Sequence, residues 1–158
     1  MIARPMVASL VFFGSLSTAM AQPKQVSAQA GLDEGGLVLG ANFDFIDTAN
    51  ESYGAYARIY SKDRDEGAPA IFSLGASFRG RAKVGILEYY LSPGFGLVHY
   101  NLDRTELLFG PSLAYGVSAE LDKSLSLGVE NAKLYSWFGD KKGLIKDTFL
   151  ANITFKLP

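Results

Sequence analysis

The sequence contains no cysteine, and its three methionines, Met1, Met6 and Met20, all lie near the amino terminus. A chain without cysteine has no disulfide bonds and no thiolate to act as a nucleophile or metal ligand. After residue 21 there is also no apolar run near the roughly 18 residues of a membrane-spanning helix. No segment there shows the apolar period of an amphipathic helix. Stability must therefore come from packing or from a closed, hydrogen-bonded framework of strands.

The sequence also lacks an excess of charge of either sign. The 15 basic and 16 acidic residues are scattered, with a formal net charge of −1 and a single histidine. This distribution excludes the basic footprint of a nucleic-acid-binding protein. The segment KDRDEG resembles a calcium loop only loosely, because it lacks the spaced carboxylates of an EF-hand. We expect no cofactor and no metal. We also expect this segment and the segment around Lys141 and Lys142 to be solvated loops. The two lysines are in addition candidates for contact with a lipopolysaccharide headgroup.

The first 21 residues have the pattern of a secretory signal peptide. Arg4 supplies the positive charge, residues 6–16 form a short apolar run, and Ala19 and Ala21 form the small-residue cleavage motif. The run is shorter than the roughly 20 residues of a membrane anchor. We predict cleavage after Ala21, leaving a single domain over residues 22–158.

What is present is strand-like alternation of unusual length. In LLFGPSLAYGVSAEL (107–121), large apolar residues occupy every second position, and small or polar residues fill most positions between them. This is the strand period, held well beyond the usual five or six residues. The phase of the fifth segment is ambiguous, so we place Glu88 away from its apolar face and expect a bulge or bend near Pro93. Eight such segments occur, the seventh losing its phase near Asn131: 24–31, 37–46, 53–61, 70–79, 84–100, 107–121, 124–138 and 147–157.

An even number of long strands joined by turn-like stretches predicts an all-β, antiparallel, up-and-down transmembrane barrel of eight strands. We expect short turns at DTANES, GRA and LDK on the side of the termini, and longer loops at 62–69 and 139–147 on the other. About ten tilted residues span the apolar band of roughly 25 Å that such barrels need. The alternative is a soluble barrel or sandwich with its apolar face inward. However, the opposite face is rich in Gly, Ala and Ser, which favours a narrow lumen over a charged exterior.

Charged residues on the small-residue face form the first candidate site. One reading is an ion path through the lumen. The other is a packed salt-bridge network, which we favour because eight strands leave no room for a wide aqueous channel and unpaired buried charges are costly. The residues are Asp44, Arg58, Arg79, Glu88, Glu120, Glu130 and Lys156.

Aromatic residues near the strand ends form the second set. Amphipathic rings at such positions anchor barrels at the level of the lipid headgroups, which is an anchoring role without chemistry. The candidates are Tyr53, Tyr89, Tyr100, Tyr135, Trp137 and Phe155.

With the strands laid out, residues 22–158 resemble the small OmpA/OmpX-type outer-membrane barrels. The most motif-like part is the end, FLANITFKLP, an alternating strand with Phe155 and Leu157 near its terminus, although Pro158 stands last where such proteins more often have Phe. The resemblance implies a monomer in the outer membrane of a Gram-negative bacterium, inserted by the barrel-assembly machinery. Its partners would be outer-membrane lipid and lipopolysaccharide, and its extracellular partner is not specified.

The resulting function is a structural or surface-interaction role through the outer loops, without catalysis. Some barrels of this kind modify lipid A with a His and a Ser or Asp, which makes His99 a weak catalytic candidate. A deacylase of that type would place Ser two residues after the His, where this sequence has Asn101, which is no acyl nucleophile. Asp103 and Glu106 are able to orient an imidazole. A lipid A-modifying enzyme and a narrow ion-conducting pore therefore remain as alternatives.

Overall fold

The structure is a computed structural model that describes residues 24–34, 36–61, 71–101, 105–137 and 143–158. Each strand pairs in antiparallel fashion with its neighbours in sequence, and β8 pairs with β1, so the sheet closes on itself. The predicted signal peptide and cleavage site lie outside the described residues. The eight strands are β1 (Gln25–Asp33), β2 (Gly36–Asp47), β3 (Glu51–Tyr60), β4 (Ile71–Val84), β5 (Leu87–Asn101), β6 (Thr105–Glu120), β7 (Leu125–Ser136) and β8 (Gly143–Lys156).

The two ends of the barrel differ in their connections. One end, which we call the terminal end, holds the start of β1, the end of β8 and three turns at 48–50, 85–86 and 121–124. The opposite end, which we call the loop end, holds the connections that follow β1, β3, β5 and β7. The expected loop at 62–69 lies outside the described residues. The expected loop at 139–147 is shorter than predicted, because β8 already begins at Gly143.

The turn between β4 and β5 corrects the sequence prediction. GRA, at 80–82, lies within β4, and the chain reverses at Gly85, whose φ of +63° favours glycine. Two further residues, Arg81 and Lys83, thereby continue the inward phase of β4. Arg81 forms an ion pair with Asp47 inside the barrel, and Lys83 forms one with Glu120 at the mouth, so the longer strand brings both bases to acidic partners.

Side chains alternate between the lumen and the outer surface along every strand, as the period of two requires. On β1, Gln25, Ser27 and Gln29 are buried in the lumen. The outer surface instead exposes large apolar side chains from all eight strands. Examples are Leu32, Leu39, Ile59, Leu74, Leu91, Phe109, Leu127 and Phe149. The barrel is therefore apolar outside, the reverse of a soluble barrel, and the predicted faces of the strands are confirmed.

Strand β5 shows no bulge at Pro93, which was one of the two alternatives, bulge or bend, that the sequence predicts there. Its register with β4 and β6 is unchanged on both sides of the proline, although the pairing with β4 is interrupted opposite Ser92 and Pro93. Proline has no N–H to donate to the ladder. The Ser92 hydroxyl donates to the Phe78 carbonyl at 3.2 Å and so supplies a donor at this place.

The register shifts lie elsewhere. One occurs in β2 between Asp44 and Ile46, where the extra residue is Phe45, and the other between β7 and β8 beside Leu134. Because of the first shift, Ile46 lies opposite Tyr53 on the outer surface and Asp47 returns to the lumen side. The sequence pattern predicts a turn at DTANES, which includes Asp47, and the structure corrects this prediction.

Strand β7 keeps its alternation through Ser136. Glu130, Ala132 and Leu134 are buried in the lumen, while Asn131 and Lys133 take the outward positions. The apparent loss of phase near Asn131 is therefore an exchange of polarity between the two faces. Apolar residues enter the lumen there, and polar residues move to the outer surface.

The lumen is divided into two halves of different chemistry. Towards the terminal end lies what we call the ionic half, built around Asp44, Arg58, Arg79, Arg81 and Glu130. Towards the loop end lies the apolar half, which the predicted polar lumen does not include. It consists of Val38, Tyr60, Ile71, Val98, Leu108, Ala114, Ala132, Leu134 and Leu150.

Inward glycines make room for two large rings in the lumen. A Cβ atom on Gly96 would lie 2.2 Å from the Tyr56 hydroxyl oxygen, and one on Gly75 would lie 2.5 Å from the same ring. A Cβ atom on Gly116 would lie 2.6 Å from the hydroxyl oxygen of Tyr90. The glycines of the alternating pattern therefore fit tyrosines that arrive from other strands.

Candidate functional site

Glu130 lies at the centre of the ionic half, with its side chain only 1% exposed. Arg58 forms an ion pair with its Oε1 atom at 2.8 Å, and the Gln29 amide donates to the same oxygen at 3.1 Å. The Tyr90 hydroxyl donates to Oε2 at 3.0 Å. Three other strands, β1, β3 and β5, thus contribute side chains to one carboxylate on β7, which gives a buried charge the partners that it requires.

Arg79 links this centre to the next acidic group. Its guanidinium lies 3.8 Å from Glu130 and 3.6 Å from Asp44, and its Cζ atom is 4.5 Å from the centre of the Tyr90 ring. A planar guanidinium is well suited to this combination of two carboxylates and an aromatic face.

Arg81 continues the network towards the terminal end. It contacts Asp44 at 3.3 Å and Glu88 at 3.6 Å, forms an ion pair with Asp47, and donates to the Ser52 hydroxyl at 2.8 Å. Its side chain is 4% exposed. Arg79 and Arg81 therefore share Asp44, and neither arginine depends on a single carboxylate.

A second group of charges lies at the mouth of the terminal end. Glu120 forms an ion pair with Lys83 and another with Lys156, the latter at 3.4 Å. Across the lumen, five bases (Arg58, Arg79, Arg81, Lys83 and Lys156) face five acids (Asp44, Asp47, Glu88, Glu120 and Glu130), so these side chains balance in charge.

The turn beyond this mouth holds a further carboxylate. Asp122 accepts hydrogen bonds from the backbone N–H of Ser124 at 2.6 Å and from its hydroxyl at 2.8 Å. These bonds favour the ionised form and hold the pKa of the Asp122 carboxyl below its usual value, the backbone bond having the larger effect.

Little space remains between the side chains of the ionic half. A cavity of about 20 Å³ lies among Asn42, Arg79, Glu88 and Glu130, and a second, of about 10 Å³, lies among Tyr56, Arg58 and Ser112. A cavity needs a volume of roughly 10–15 Å³ to hold a single water molecule. These spaces have room for no more than one or two waters, which suits a packed network rather than a stream of hydrated ions.

The apolar half closes the lumen above the ionic half. Val38, Val98 and Leu150 are fully buried there. At its loop end the Lys146 ammonium lies 2.5 Å from the Asp33 carboxylate and 5.3 Å from the centre of the Tyr60 ring. The plug of apolar side chains is therefore capped by one ion pair.

The structure brings all seven charged residues of the sequence prediction to the lumen side. Asp44, Arg58, Arg79, Glu88 and Glu130 meet in the ionic half, whereas Glu120 and Lys156 meet at the mouth. Sequence reasoning missed Arg81 and Lys83, although both continue the period of two from Arg79. It also missed Asp47, which no periodicity reveals, because a bulge precedes it.

His99 lies on the outer surface near the loop end and is exposed. Its neighbours across the sheet are Phe72 on β4 and Leu107 on β6, both exposed apolar residues. Asp103 and the side chains of Asn101 and Glu106 lie outside the described residues. Within the described part, the cross-strand partners of His99 supply neither a nucleophile nor a carboxylate.

The aromatic candidates lie on the outer surface towards both ends. Tyr53, Tyr89 and Phe155 are near the terminal end, and Tyr53 packs against Phe78 with ring centroids 5.1 Å apart. Tyr135 and Trp137 are near the loop end, and Trp137 meets Phe95 and Phe109 edge-to-face at 5.5 and 6.2 Å. The side chain of Tyr100 lies outside the described residues.

One polar feature interrupts the apolar outer surface. The Asn131 amide donates to Asp147 Oδ1 at 2.8 Å, and Lys133 forms an ion pair with the other oxygen of Asp147. We call these three residues the outward polar cluster. In barrels that span membranes, a lysine on the lipid face costs about 2–4 kcal/mol at the midplane. Near the interfaces this cost falls to about 0–1 kcal/mol, so the depth of the cluster decides its cost. The sequence pattern did not predict this cluster.

Within the described ranges, no helix is long and apolar enough to cross a membrane. No group of three or more His, Cys, Asp or Glu side chains in the same ranges is arranged to hold a metal ion.

Comparison with known proteins gives similarity in structure alone. No family model matches the sequence, and no curated protein is significantly similar to it. Solved structures do match. The N-terminal β-barrel domain of Pseudomonas aeruginosa OprF superposes with a TM-score of 0.60 and 13% identity, covering 84% of this chain and 96% of that one.

Two further structures match at similar levels. The outer membrane enzyme PagL gives a TM-score of 0.58 with 14% identity, over 84% of this chain and 99% of PagL. Neisserial surface protein A gives 0.57 with 14% identity, over 84% of this chain and 94% of that protein. At these identities the likeness concerns the fold, and it confirms the predicted architecture. This chain folds as a closed, eight-stranded antiparallel barrel, and it shares this fold with the three solved structures.

Proposed function

We propose that this protein is a monomeric, non-enzymatic barrel of a bacterial outer membrane, with a sealed lumen and a structural or surface-interaction role carried by the loops of its loop end. The observation that carries the proposal is the charge-balanced network around Glu130, which fills the ionic half of the lumen in a barrel that is apolar outside. An apolar exterior around a polar interior is the arrangement that lipid requires.

The outer surface supports the membrane location. Exposed leucines and phenylalanines surround the barrel, and aromatic rings lie towards both ends. In water, so large an apolar surface would drive aggregation. In this proposal the terminal end, with its short turns, faces the periplasm and the loop end faces outward.

The first test is heat modifiability of the protein in the outer-membrane fraction. A closed barrel resists detergent until it is heated, so unheated and boiled samples are expected to migrate differently on a gel. A soluble periplasmic protein without a shift would overturn the proposal, and the outer surface would then be a binding face for other apolar molecules.

The second test concerns conductance. Two successive barriers, the ionic half and the apolar half, argue against an ion path. Planar bilayers containing the protein are expected to show no steady conductance, and Glu88→Gln is expected to leave this result unchanged. A porin in the same bilayers is the positive control. Steady conductance that changes with Glu88→Gln would instead establish the narrow pore.

The third test concerns lipid A chemistry, the alternative that involves His99. The apolar neighbours of His99 support the non-enzymatic reading. Lipid A masses from cells with and without the protein are expected to be identical. A mass change that His99→Ala abolishes would show that the protein is an enzyme. His99→Gln is the matched control, because it keeps a polar side chain without an imidazole.

A further inference from the structure

The outward polar cluster stands at a depth where lipid is expected. Asn131 lies six residues beyond Leu125, the first residue of β7, and Lys133 lies eight beyond it. At about 3.3 Å per residue and a tilt near 40°, these positions are roughly 15 and 20 Å from the start of the strand. Because the apolar band of such barrels is about 25 Å tall, both residues lie within it, in the half nearer the loop end.

A groove on the outer surface leads to this cluster. It has a volume of about 390 Å³ and is walled by Tyr89, Tyr115, Val117, Val129 and Phe149. These residues all lie on the terminal side of Lys133 or beside it. Asn131 also lines the groove, so that an apolar channel ends at a polar group. This arrangement matches an amphiphilic molecule, which has a long apolar part and a polar group at one end.

The hydrogen bonds within the cluster indicate whether a bound molecule would donate or accept a hydrogen bond there. The Asp147 side chain is 38% exposed on the outer surface although it already accepts from Lys133 and Asn131. The buried Oδ1 atom of Asn131 accepts no hydrogen bond within the described part of the chain. Of the cluster's acceptors, the Asp147 carboxylate is the one that a molecule on the outer surface reaches, because the Asn131 oxygen has almost no exposed surface. Ester carbonyls of lipids only accept hydrogen bonds, whereas a hydroxyl group also donates.

We propose that the β7–β8 face binds one lipid of the outer leaflet that carries a hydroxyl group on its acyl chain. The chain lies in the groove below Asn131, the hydroxyl donates to Asp147, and the neighbouring acyl carbonyl accepts from Lys133. This inference rests on the proposed membrane location. The polar groups of the cluster thereby acquire partners in an environment that contains little water.

The orientation of the groove supports this occupant. Its apolar walls extend from the cluster towards the terminal end, the direction in which the chains of an outer-leaflet lipid run if the loop end faces outward. The charges of Lys133 and Asp147 neutralise each other, so the cluster has little preference for a phosphate. It suits a neutral hydroxyl and carbonyl instead.

The binding test uses native mass spectrometry of the refolded full chain in detergent. The probes are two phosphatidylethanolamines that differ only in a 3-hydroxyl on one acyl chain, together with lipid A, whose chains carry such hydroxyls. We expect one bound lipid, and at least tenfold tighter binding of the hydroxylated phosphatidylethanolamine than of its partner. Lipid A is expected to bind in the same way.

One double variant and one matched pair of single variants locate the site. Lys133→Leu with Asp147→Leu removes the charges as a pair and is expected to abolish the tenfold preference. Val129→Trp fills the groove without altering the cluster and is expected to weaken the binding of both lipids. Ala76→Trp is its matched control, because Ala76 lines a different outer groove, with Tyr53 and Phe95, and there the added ring is expected to have no effect.

Equal binding of the two phosphatidylethanolamines, a preference that survives in the double variant, or a protein dimer in place of a lipid adduct would each overturn this inference. The heat-modifiability gel is run first on every variant. If the wild type shows no shift, the proposed membrane function fails. If it shows the shift but no lipid preference, the lipid site alone fails.

Discussion

The two halves of the lumen are sealed by opposite chemistries within the same eight strands. In the ionic half, Glu130 has Arg58, Gln29 and Tyr90 as partners, and each contact depends on the positions of particular atoms. In the apolar half, Val98 and Leu150 are buried by packing alone. A buried charge that loses its partner is strongly penalised, whereas apolar packing loses free energy in proportion to the atoms removed. The ionic half is therefore the less tolerant of single substitutions.

The change from one half to the other occurs along single strands. On β5 the inward positions run from Glu88 through Tyr90 and Ser92 to Val98. On β7 they run from Glu130 to Ala132 and Leu134, and here the outer surface gains Asn131 and Lys133 over the same stretch. The outward polar cluster thus lies beside the boundary between the two halves.

The largest expected effect comes from breaking the ionic half at its centre. Glu130→Ala leaves Arg58 and Arg79 without their shared carboxylate and is expected to lower the free energy of unfolding by about 4 kcal/mol. Urea titration in lipid vesicles, followed by Trp137 fluorescence, measures this. Glu120→Ala, at the more open mouth, is the matched control and is expected to cost less. An equal loss at both sites would contradict the special role of Glu130.

A smaller effect is expected when the apolar half is weakened. Leu150→Ala removes apolar atoms from a fully buried position and is expected to cost about 3 kcal/mol, without leaving any charge unpaired. The same urea titration applies. Leu39→Ala, on the exposed outer surface, is the comparison with the same change in side chain. A cost for Leu150→Ala above that of Glu130→Ala would invert the ranking of the two halves.

The comparison is sharpened by making the ionic half more like the apolar half. Arg58→Met combined with Glu130→Leu removes both charges of the central pair, and apolar side chains of similar size often replace such pairs at little cost. The double variant is expected to lose less than about 2 kcal/mol, below the loss in Glu130→Ala. The variant that combines Arg58→Met with Glu130→Ala is expected to lose an amount of unfolding free energy between those of the other two variants. Additive losses would show that the pair is not the unit of stability.

The smallest effect is expected outside both halves, at the 121–124 turn. Because the folded pKa of Asp122 is depressed, its contribution to stability is present above the ordinary aspartate pKa of about 3.9 and is lost as pH falls through the lowered value. Asp122→Asn is therefore expected to lower Tm slightly at neutral pH, with the difference vanishing in strong acid. Ser124→Ala, which removes only the hydroxyl donor, is expected to have part of the same effect. A difference that grows in acid would contradict this account.

Periodicity alone predicted most of the fold. Alternation in segments such as 107–121 assigned Glu120 to the lumen and Leu107 to the outer surface, and the structure agrees. The residues that contact each other across the lumen were predicted less completely. Arg81 was missed because GRA resembles a turn, and Asp47 because one extra residue in β2 precedes it. Such local register shifts depend on pairing with another strand, which a single segment does not reveal.

By itself, the sequence determined that this protein forms long, half-apolar strands, since side chains on a strand alternate whatever their neighbours are. It also placed seven of the lumen charges on the small-residue face, whereas the lumen position of Asp47 depends on a bulge. Only the tertiary structure decided that Glu130 meets Arg58 from a strand 72 residues away, and that Asn131, Lys133 and Asp147 gather on the outer surface. Contacts of this kind depend on the register and closure of the barrel, which are set by all eight strands together.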